Sequence, residues 1–125
     1  MIGLELGISI ASCALRREPT GAPSGFRSHV VAIAKRALKA GERLDGEGGF
    51  CVWGRQAPAE LSLRNELLPM GLANDVKLKR DISEGEPLRW SDVDIDPSNS
   101  AVRTRREMEA TFGPRMARFA PAAVT

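Results

Sequence analysis

The chain contains the same ten-residue pattern twice, at residues 35–44 and again at residues 79–88, with a constant offset of 44 positions. The positions that keep their residue type are Lys35 and Lys79, Arg36 and Arg80, Leu38 and Ile82, Gly41 and Gly85, Glu42 and Glu86, and Leu44 and Leu88. This agreement exceeds what a charge-rich composition gives by chance, and self-similarity at a fixed period indicates repeated structural units. The sequence therefore predicts a duplicated strand–turn–strand unit.

Each copy has the residues that a tight turn between two strands needs. Gly41 and Gly85 can adopt a positive φ without a Cβ clash. An aliphatic residue before each glycine, Leu38 or Ile82, is expected to pack under the turn. A leucine after the glycine then returns the chain to the core. Neither copy could bury its apolar side alone, whereas two copies can cover each other. The predicted fold is mainly β with short helices, a pseudo-two-fold repeat and helical segments at both termini.

Short apolar runs between turn signals predict four strands, at Val30–Ala34, at Phe50–Trp53 with Gly54 closing it, at Val76–Lys79 and at Ser91–Ile95. A helical turn is predicted from Ala59 to Leu68, and Pro69 ends it. The last helix is predicted at about Ser100–Phe112, with N-cap candidates before it and a stop at Gly113 and Pro114. The tail Ala117–Thr125 is expected to fray.

Residues 2–15 fit two patterns. Apolar residues alternate with polar or small ones up to Ile10, as in a strand, but a helical stripe also runs on to Leu15. The helix is favoured, because the stripe extends past the alternation and Pro19 would stop it. Two prolines and two glycines within Glu18–Gly25 then indicate a linker.

The length and charge of the chain exclude several classes of function. With 125 residues there is room for one domain, not for a dinucleotide domain plus a substrate domain. The 18 basic and 16 acidic residues give a net charge of +2, which argues against a nucleic-acid partner. The apolar N-terminal run is too short to span a membrane, contains Glu5 and lacks the positive start of a secretory signal, so a cytoplasmic chain is expected.

No set of residues in the sequence predicts catalysis, cofactor binding or metal binding. Cys13 and Cys51 are too far apart for a metal knuckle, and His29 has no second ligand at a suitable spacing. Asp92, Asp94 and Asp96 would share one face of a strand, where an exposed edge is a better interpretation than a cation site. We therefore expect no catalytic, cofactor-binding or metal-binding residue in this chain.

The second copy of the repeat, from Lys79 to Val93, resembles the signature of the SAF family of antifreeze-like, β-clip domains. That signature is a basic residue, Asp, an aliphatic residue, Gly, a second aliphatic and a closing Asp-aliphatic pair, which here is Asp92-Val93. SAF domains resemble type III antifreeze proteins, the C-terminal domain of sialic acid synthases, and flagellar and pilus assembly chaperones. The resemblance implies a β-clip fold.

Further segments resemble the C-terminal region of homoserine dehydrogenase-like oxidoreductases, some of which act as deoxyxylulose phosphate reductoisomerase-like enzymes. These segments are Gly3–Ser9, Glu18–Pro23, Leu44–Gly49, Leu68–Ala73 and Val76–Asp81. The resemblance implies NAD(P) as the cofactor of the parent enzyme, although Gly46–Cys51 does not form a dinucleotide loop. It also implies that residues 1–25 are the edge of a preceding catalytic domain plus a linker, residues 26–97 the SAF domain, and residues 98–125 a C-terminal helix and tail.

On this basis we expect a non-catalytic SAF module of an NAD(P)-dependent oxidoreductase, serving assembly or completion of the substrate site. Its expected partner is a missing or separately encoded catalytic domain, and self-association is expected from the exposed N-terminal segment. Two alternatives stay open. One is a free-standing SAF module that binds a sugar acid or another small polar ligand, and the other is an exported flagellar or pilus assembly chaperone.

Overall fold

The computed structural model of the protein describes residues 2–116. Five strands are present, β1 (Ser28–Ala34), β2 (Arg43–Asp45), β3 (Val52–Pro58), β4 (Asn74–Leu78) and β5 (Val93–Asp94). Three α-helices accompany them, α1 (Ile2–Ala11), α2 (Ala59–Arg64) and α3 (Ser100–Met116). A π-helical segment, Ser12–Arg16, extends α1, and single 3-10 turns form at Met70–Leu72 and Trp90–Asp92. The expected fraying of Ala117–Thr125 lies outside the described residues.

The strands form two small antiparallel sheets. β1 pairs with β3 along its whole length, and β4 lies between β2 and β5 in the second sheet. Isolated bridges pair further residues outside the two sheets, and they include Ile33 of β1 with Pro87, and Leu38 with Ile82. The prediction of a mainly β domain with short helices and with helices at both ends is confirmed.

The main-chain hydrogen bonds repeat with the same offset as the sequence. Gly41 N–H donates to Leu78 O at 2.8 Å, and Gly85 N–H donates to Ala34 O at 2.9 Å. The two glycines have φ values of +89° and +77°, which a residue without Cβ adopts easily. Leu38 and Ile82 exchange both main-chain bonds, at 2.9 and 3.0 Å, where the two copies meet. The pseudo-two-fold relation is therefore present in the hydrogen bonding itself.

The core lies between the two copies of the repeat. Its largest fully buried side chains include the aliphatic and leucine positions of both copies, Leu38, Leu44, Ile82 and Leu88. Alternate residues of β4 enter this core, so Val76 and Leu78 are buried while Lys77 is exposed. A second, smaller cluster of Val31, Ile33, Ala57 and Leu67 lies on one face of the β1–β3 sheet.

The N-terminal residues are helical, so the helical stripe and not the alternating pattern describes them correctly. The helix ends at Arg17, which has a left-handed φ of +58°, two residues before Pro19. Its exposed apolar side chains are Leu6 (60%), Ile8 (65%), Ile10 (60%) and Leu15 (84%). Every described residue of the following linker is also exposed, up to the buried Phe26. The division of the chain at residue 25 stays a prediction.

In the middle of the chain, the predicted ends of one strand and one helix are wrong. Gly54 does not close its strand, because β3 continues through it to Pro58. A Cβ at Gly54 would lie 2.5 Å from Val30 Cγ1, so the glycine makes room for its neighbour inside the sheet. The helix after it ends at Arg64 and not at Leu68, since Glu66 takes a φ of +52° and turns the chain back toward the sheet. Leu68 then donates its N–H to Leu88 O.

The last strand and the last helix also differ from the prediction. Residues 91–92 belong to a 3-10 turn, and only Val93–Asp94 form a strand. Asp92 points into the protein, so it does not share an exposed face with Asp94 and Asp96. α3 continues past Gly113 to Met116, because Gly113 does not take the left-handed φ of a C-cap. Among residues 2–116, no helix is long and apolar enough to cross a membrane.

Candidate functional site

A polar seam joins α3 to the β1–β3 sheet. We use this name for His29 on β1, Ser62 on α2, Arg105 and Glu109 on α3, and Phe26 before β1. His29 Nε2 hydrogen bonds to Ser62 Oγ, and Arg105 Nη2 lies 3.2 Å from His29 Nδ1. Arg105 Nε donates to Glu109 at 2.7 Å, and the guanidinium lies 4.8 Å from the centre of the Phe26 ring.

The electrostatics of the seam keep His29 neutral. Burial of the imidazole, and then the positive charge of Arg105, lower the pKa of His29 to about 4. The carboxylate of Glu109 opposes this shift but does not cancel it. A neutral imidazole has one N–H donor and one acceptor nitrogen, so it can hydrogen bond both to Ser62 and to the guanidinium.

The seam is not arranged for nucleophilic catalysis, although it pairs a serine with a histidine. In a catalytic triad a carboxylate accepts the second N–H of the imidazole, whereas here Arg105 approaches that side of the ring. Ser62 is also only 1% exposed, so a substrate could not reach its hydroxyl. The arrangement instead holds α3 and the end of the linker against the sheet. Sequence reasoning missed this cluster, because Ser62 and His29 are 33 residues apart and only the Arg105–Glu109 spacing of four gave a local signal.

An arginine closes the turn in each copy of the repeat. Arg36 pairs with Glu42 at 2.8 Å, and Arg80 pairs with Glu86 at 2.7 Å. The second copy adds Asp92, a buried carboxylate that accepts a bond from Arg80 Nε at 2.7 Å. In the first copy the guanidinium of Arg36 lies 3.7 Å from the thiol sulfur of Cys51 instead. These groups are satisfied within the domain, so they serve the fold and do not form an open site.

The glycine-rich loop between β2 and β3 turns its main-chain N–H groups inward. The carboxylate of Asp45 accepts the N–H of Phe50 at 2.5 Å and that of Cys51 at 3.0 Å. These bonds, led by the one from Phe50, lower the pKa of the Asp45 carboxyl. Since a strand follows the loop, no helix N-terminus is present there to bind a pyrophosphate. Among residues 2–116, no group of three His, Cys, Asp or Glu residues is placed to hold a metal ion.

The open grooves among the described residues include two that border helices. One, of about 370 Å³, lies between the start of α3 and the 3-10 turn at Trp90, and Trp90, Ile95, Pro97, Val102, Arg103, Arg106 and Glu107 line it. The guanidinium of Arg106 stacks 3.7 Å from the centre of the Trp90 ring at its edge. The other, of about 490 Å³, lies between α1 with its π-helical extension and the linker, and Ile8, Ala11 and Leu15 form its apolar side.

The comparisons with known proteins agree with the signature in the second repeat. A search of curated proteins finds no match to this chain. The family model of the SAF domain matches residues 29–94, which include both copies of the repeat, all strands after the linker and more than half of the chain. This protein therefore belongs to the SAF domain family.

Proposed function

We propose that this chain is a non-catalytic SAF module that works with the catalytic domain of an NAD(P)-dependent, homoserine dehydrogenase-like oxidoreductase. In this proposal the SAF domain is a rigid platform, and α1 is the element that contacts the catalytic domain. The sequence segments that resemble such enzymes support the choice of partner. The module would complete the assembly or the substrate site of the enzyme without itself performing the chemistry.

The exposed apolar surface of α1 carries the proposal. Leu6 and Ile10 lie on one side of the helix, and Ile8 and Leu15 lie on another, so apolar groups face several directions at once. A helix with apolar groups on more than one side cannot cover all of them in a surface position and is more often packed among other elements. We infer that α1 packs inside the partner domain and does not lie along a shallow groove.

The connection between α1 and the SAF core supports the same function. The exposed linker ends at Phe26, which is buried and in contact with Arg105 of the polar seam. The start of the core is thus fixed, while the residues before it make few contacts. Such a linker lets α1 enter a partner domain without disturbing the SAF core.

Co-expression with the NAD(P)-binding and substrate domains of a homoserine dehydrogenase-like enzyme tests the proposal. We expect a stable complex by size-exclusion chromatography with light scattering, and its loss in the variant Leu6→Ser/Ile8→Ser/Ile10→Ser. Leu61→Ser is the matched control, since it removes an exposed apolar side chain from α2 and should leave the complex intact. Equal binding by the α1 variant would contradict the proposal.

The groove beside Trp90 favours a second candidate function, the binding of a sugar acid. Arg103 can meet a carboxylate, while Arg106, which stacks on the Trp90 ring, gives the groove a second fixed cation. Calorimetry with an aldonate such as gluconate tests this candidate, with Arg103→Ala as the variant expected to lose binding. Glu107→Gln is the control, because it removes a charge from the same rim without removing a cation. Binding that Arg103→Ala leaves unchanged would contradict this candidate.

A further inference from the structure

The outer edge of β3 presents main-chain groups to the solvent. Ala32, on the neighbouring strand, donates its N–H to Leu68 O and accepts the N–H of Leu88, both at 2.9 Å, so its main-chain groups point away from β3. Gly54 lies opposite Ala32, and opposite residues of an antiparallel pair share the same orientation. The N–H and C=O of Gly54 therefore point outward, and those of Gln56, two residues later, do the same. Both residues are exposed.

The edge is open at one end of β3 only. Among residues 2–116, no main-chain group bonds to the outer N–H of Gly54 or Gln56. Val52, by contrast, is completely buried, so no further strand could pair there. The accessible stretch is Gly54–Pro58, and Gln56 is its middle residue.

The second copy of the repeat does not offer such an edge. Its equivalent strand, β5, has two residues, and the turn at Asp96 and Pro97 follows it closely. Short strands, acidic residues and prolines protect a sheet edge from pairing with another chain. The long open edge is therefore a property of the first copy alone.

Apolar groups flank the open edge on one face of the sheet. Trp53, Arg55 and Ala57 are on the same side of β3, since their side chains alternate with those of Gly54 and Gln56, and Arg55 is exposed there with its charge in solvent. α2 lies on this side as well, because Ser62 contacts His29 of β1 there. Trp53 is 42% exposed, and Leu61 of α2, the helix that begins directly after β3, is 48% exposed.

We propose that two copies of this chain associate through antiparallel pairing of their β3 edges, centred on Gln56. The two Gln56 residues exchange main-chain bonds, and each Gly54 N–H reaches the carbonyl of Pro58 in the second copy. The same two-fold relation brings Trp53 of one copy to α2 of the other, so the surface is complementary to itself. A second copy fits because Trp53 and the start of α2 at Ala59 lie three residues on either side of Gln56, so that each Trp53 comes opposite the start of α2 in the other copy. A short edge of this kind gives a weak, concentration-dependent dimer.

Sedimentation velocity and amide hydrogen exchange test the proposal on the full chain carrying Leu6→Ser, Ile8→Ser, Ile10→Ser and Leu15→Ser. These four substitutions remove the exposed apolar side chains from both sides of α1 and its π-helical extension, so the result is independent of the proposed function. We expect the fraction of dimer to increase with protein concentration. The amides of Gly54 and Gln56 should then exchange more slowly as the concentration rises. The inward-facing amide of Arg55 should be protected at every concentration and serves as an internal reference.

Two variants at the centre of the edge form a matched pair. Gln56→Pro removes the outward N–H but no bond to β1, and we expect it to raise the dimer dissociation constant at least about tenfold. Gln56→Ala loses the same side-chain bond to Ser28 and keeps the N–H, so it should still form the dimer. Leu61→Ser should weaken the dimer without changing any residue of β3. A monomer at all concentrations, or equal association of the proline variant, would overturn the proposal.

Discussion

Arg36 and Arg80 occupy equivalent positions in the two copies but neutralise different groups. Arg80→Ala leaves the buried Asp92 carboxylate without its cation, and we expect it to lower the free energy of unfolding by about 2 to 3 kcal/mol. Arg36→Ala exposes no buried charge, because Cys51 stands in place of the carboxylate there, and we expect a smaller loss than for Arg80→Ala. Urea denaturation of both variants measures the difference, and equal losses would contradict this account of Asp92.

His29 should make stability depend on pH in the mildly acidic range. Its pKa is about 4 in the folded protein and 6.5 in an unfolded chain, so the unfolded state binds the proton more tightly. The stability linked to His29 is complete above pH 6.5 and is lost as the pH falls from 6.5 toward 4. Because the ring is half-buried and partly screened by solvent, we expect about 1 to 2 kcal/mol.

His29→Gln provides the control for this titration, since an amide can still bond to Ser62 but does not ionise in this range. Denaturant unfolding between pH 7 and pH 5 should show a steeper loss for the natural chain than for the variant. Carboxylates such as Glu42 and Glu86, whose pKa values are lowered by their arginines, lose their contribution only at lower pH. Parallel pH profiles would mean that His29 is not protected from protonation in the folded state.

At the scale of elements, the SAF core should not need the N-terminal helix for its own stability. Deletion of residues 1–25 removes no buried side chain among residues 5–25, and it leaves the buried Phe26 in place. We expect the free energy of unfolding to change by less than about 0.5 kcal/mol. Thermal unfolding of the full and shortened chains measures this. A loss of several kcal/mol would show that α1 belongs to the core.

The turns were the elements that the sequence predicted best. A glycine with a positive φ and a leucine that returns to the core are local requirements, so the repeat at Gly41 and Gly85 could be recognised from residue types alone. The ends of β3 and α2 could not, because they depend on distant neighbours. Gly54 continues its strand on account of Val30, and Leu68 leaves the helical path to bond with Leu88.

The polar seam and the open edge of β3 could not be predicted from the sequence either, because they too depend on residues that are far apart in the chain. His29, Ser62 and Arg105 come from three separate elements, and only the fold brings them together. Which edge of a sheet stays open depends on the strand that pairs on its other side. Neither property leaves a periodic pattern in the sequence.

For the whole molecule, we predict that the isolated chain binds neither NAD⁺ nor NADPH and oxidises no alcohol. In the loop Gly46–Cys51 the N–H groups of Phe50 and Cys51 bond to Asp45 and that of Gly49 bonds to Gly46 O, so these three groups are not free to hold a pyrophosphate. Calorimetry with each cofactor measures this, with a homoserine dehydrogenase-like enzyme as a positive control. Micromolar binding by the isolated chain would contradict it.

The reciprocal bonds of the two turns also make each half of the domain depend on the other. Each half donates its glycine N–H to the other half, so two separate half-length polypeptides would satisfy one another in the same manner. The present chain thus has the form of a dimer whose two subunits are joined in one polypeptide. The joined halves are not identical, since Cys51 stands where the second half has Asp92, and the long β3 stands where the second half has the short β5.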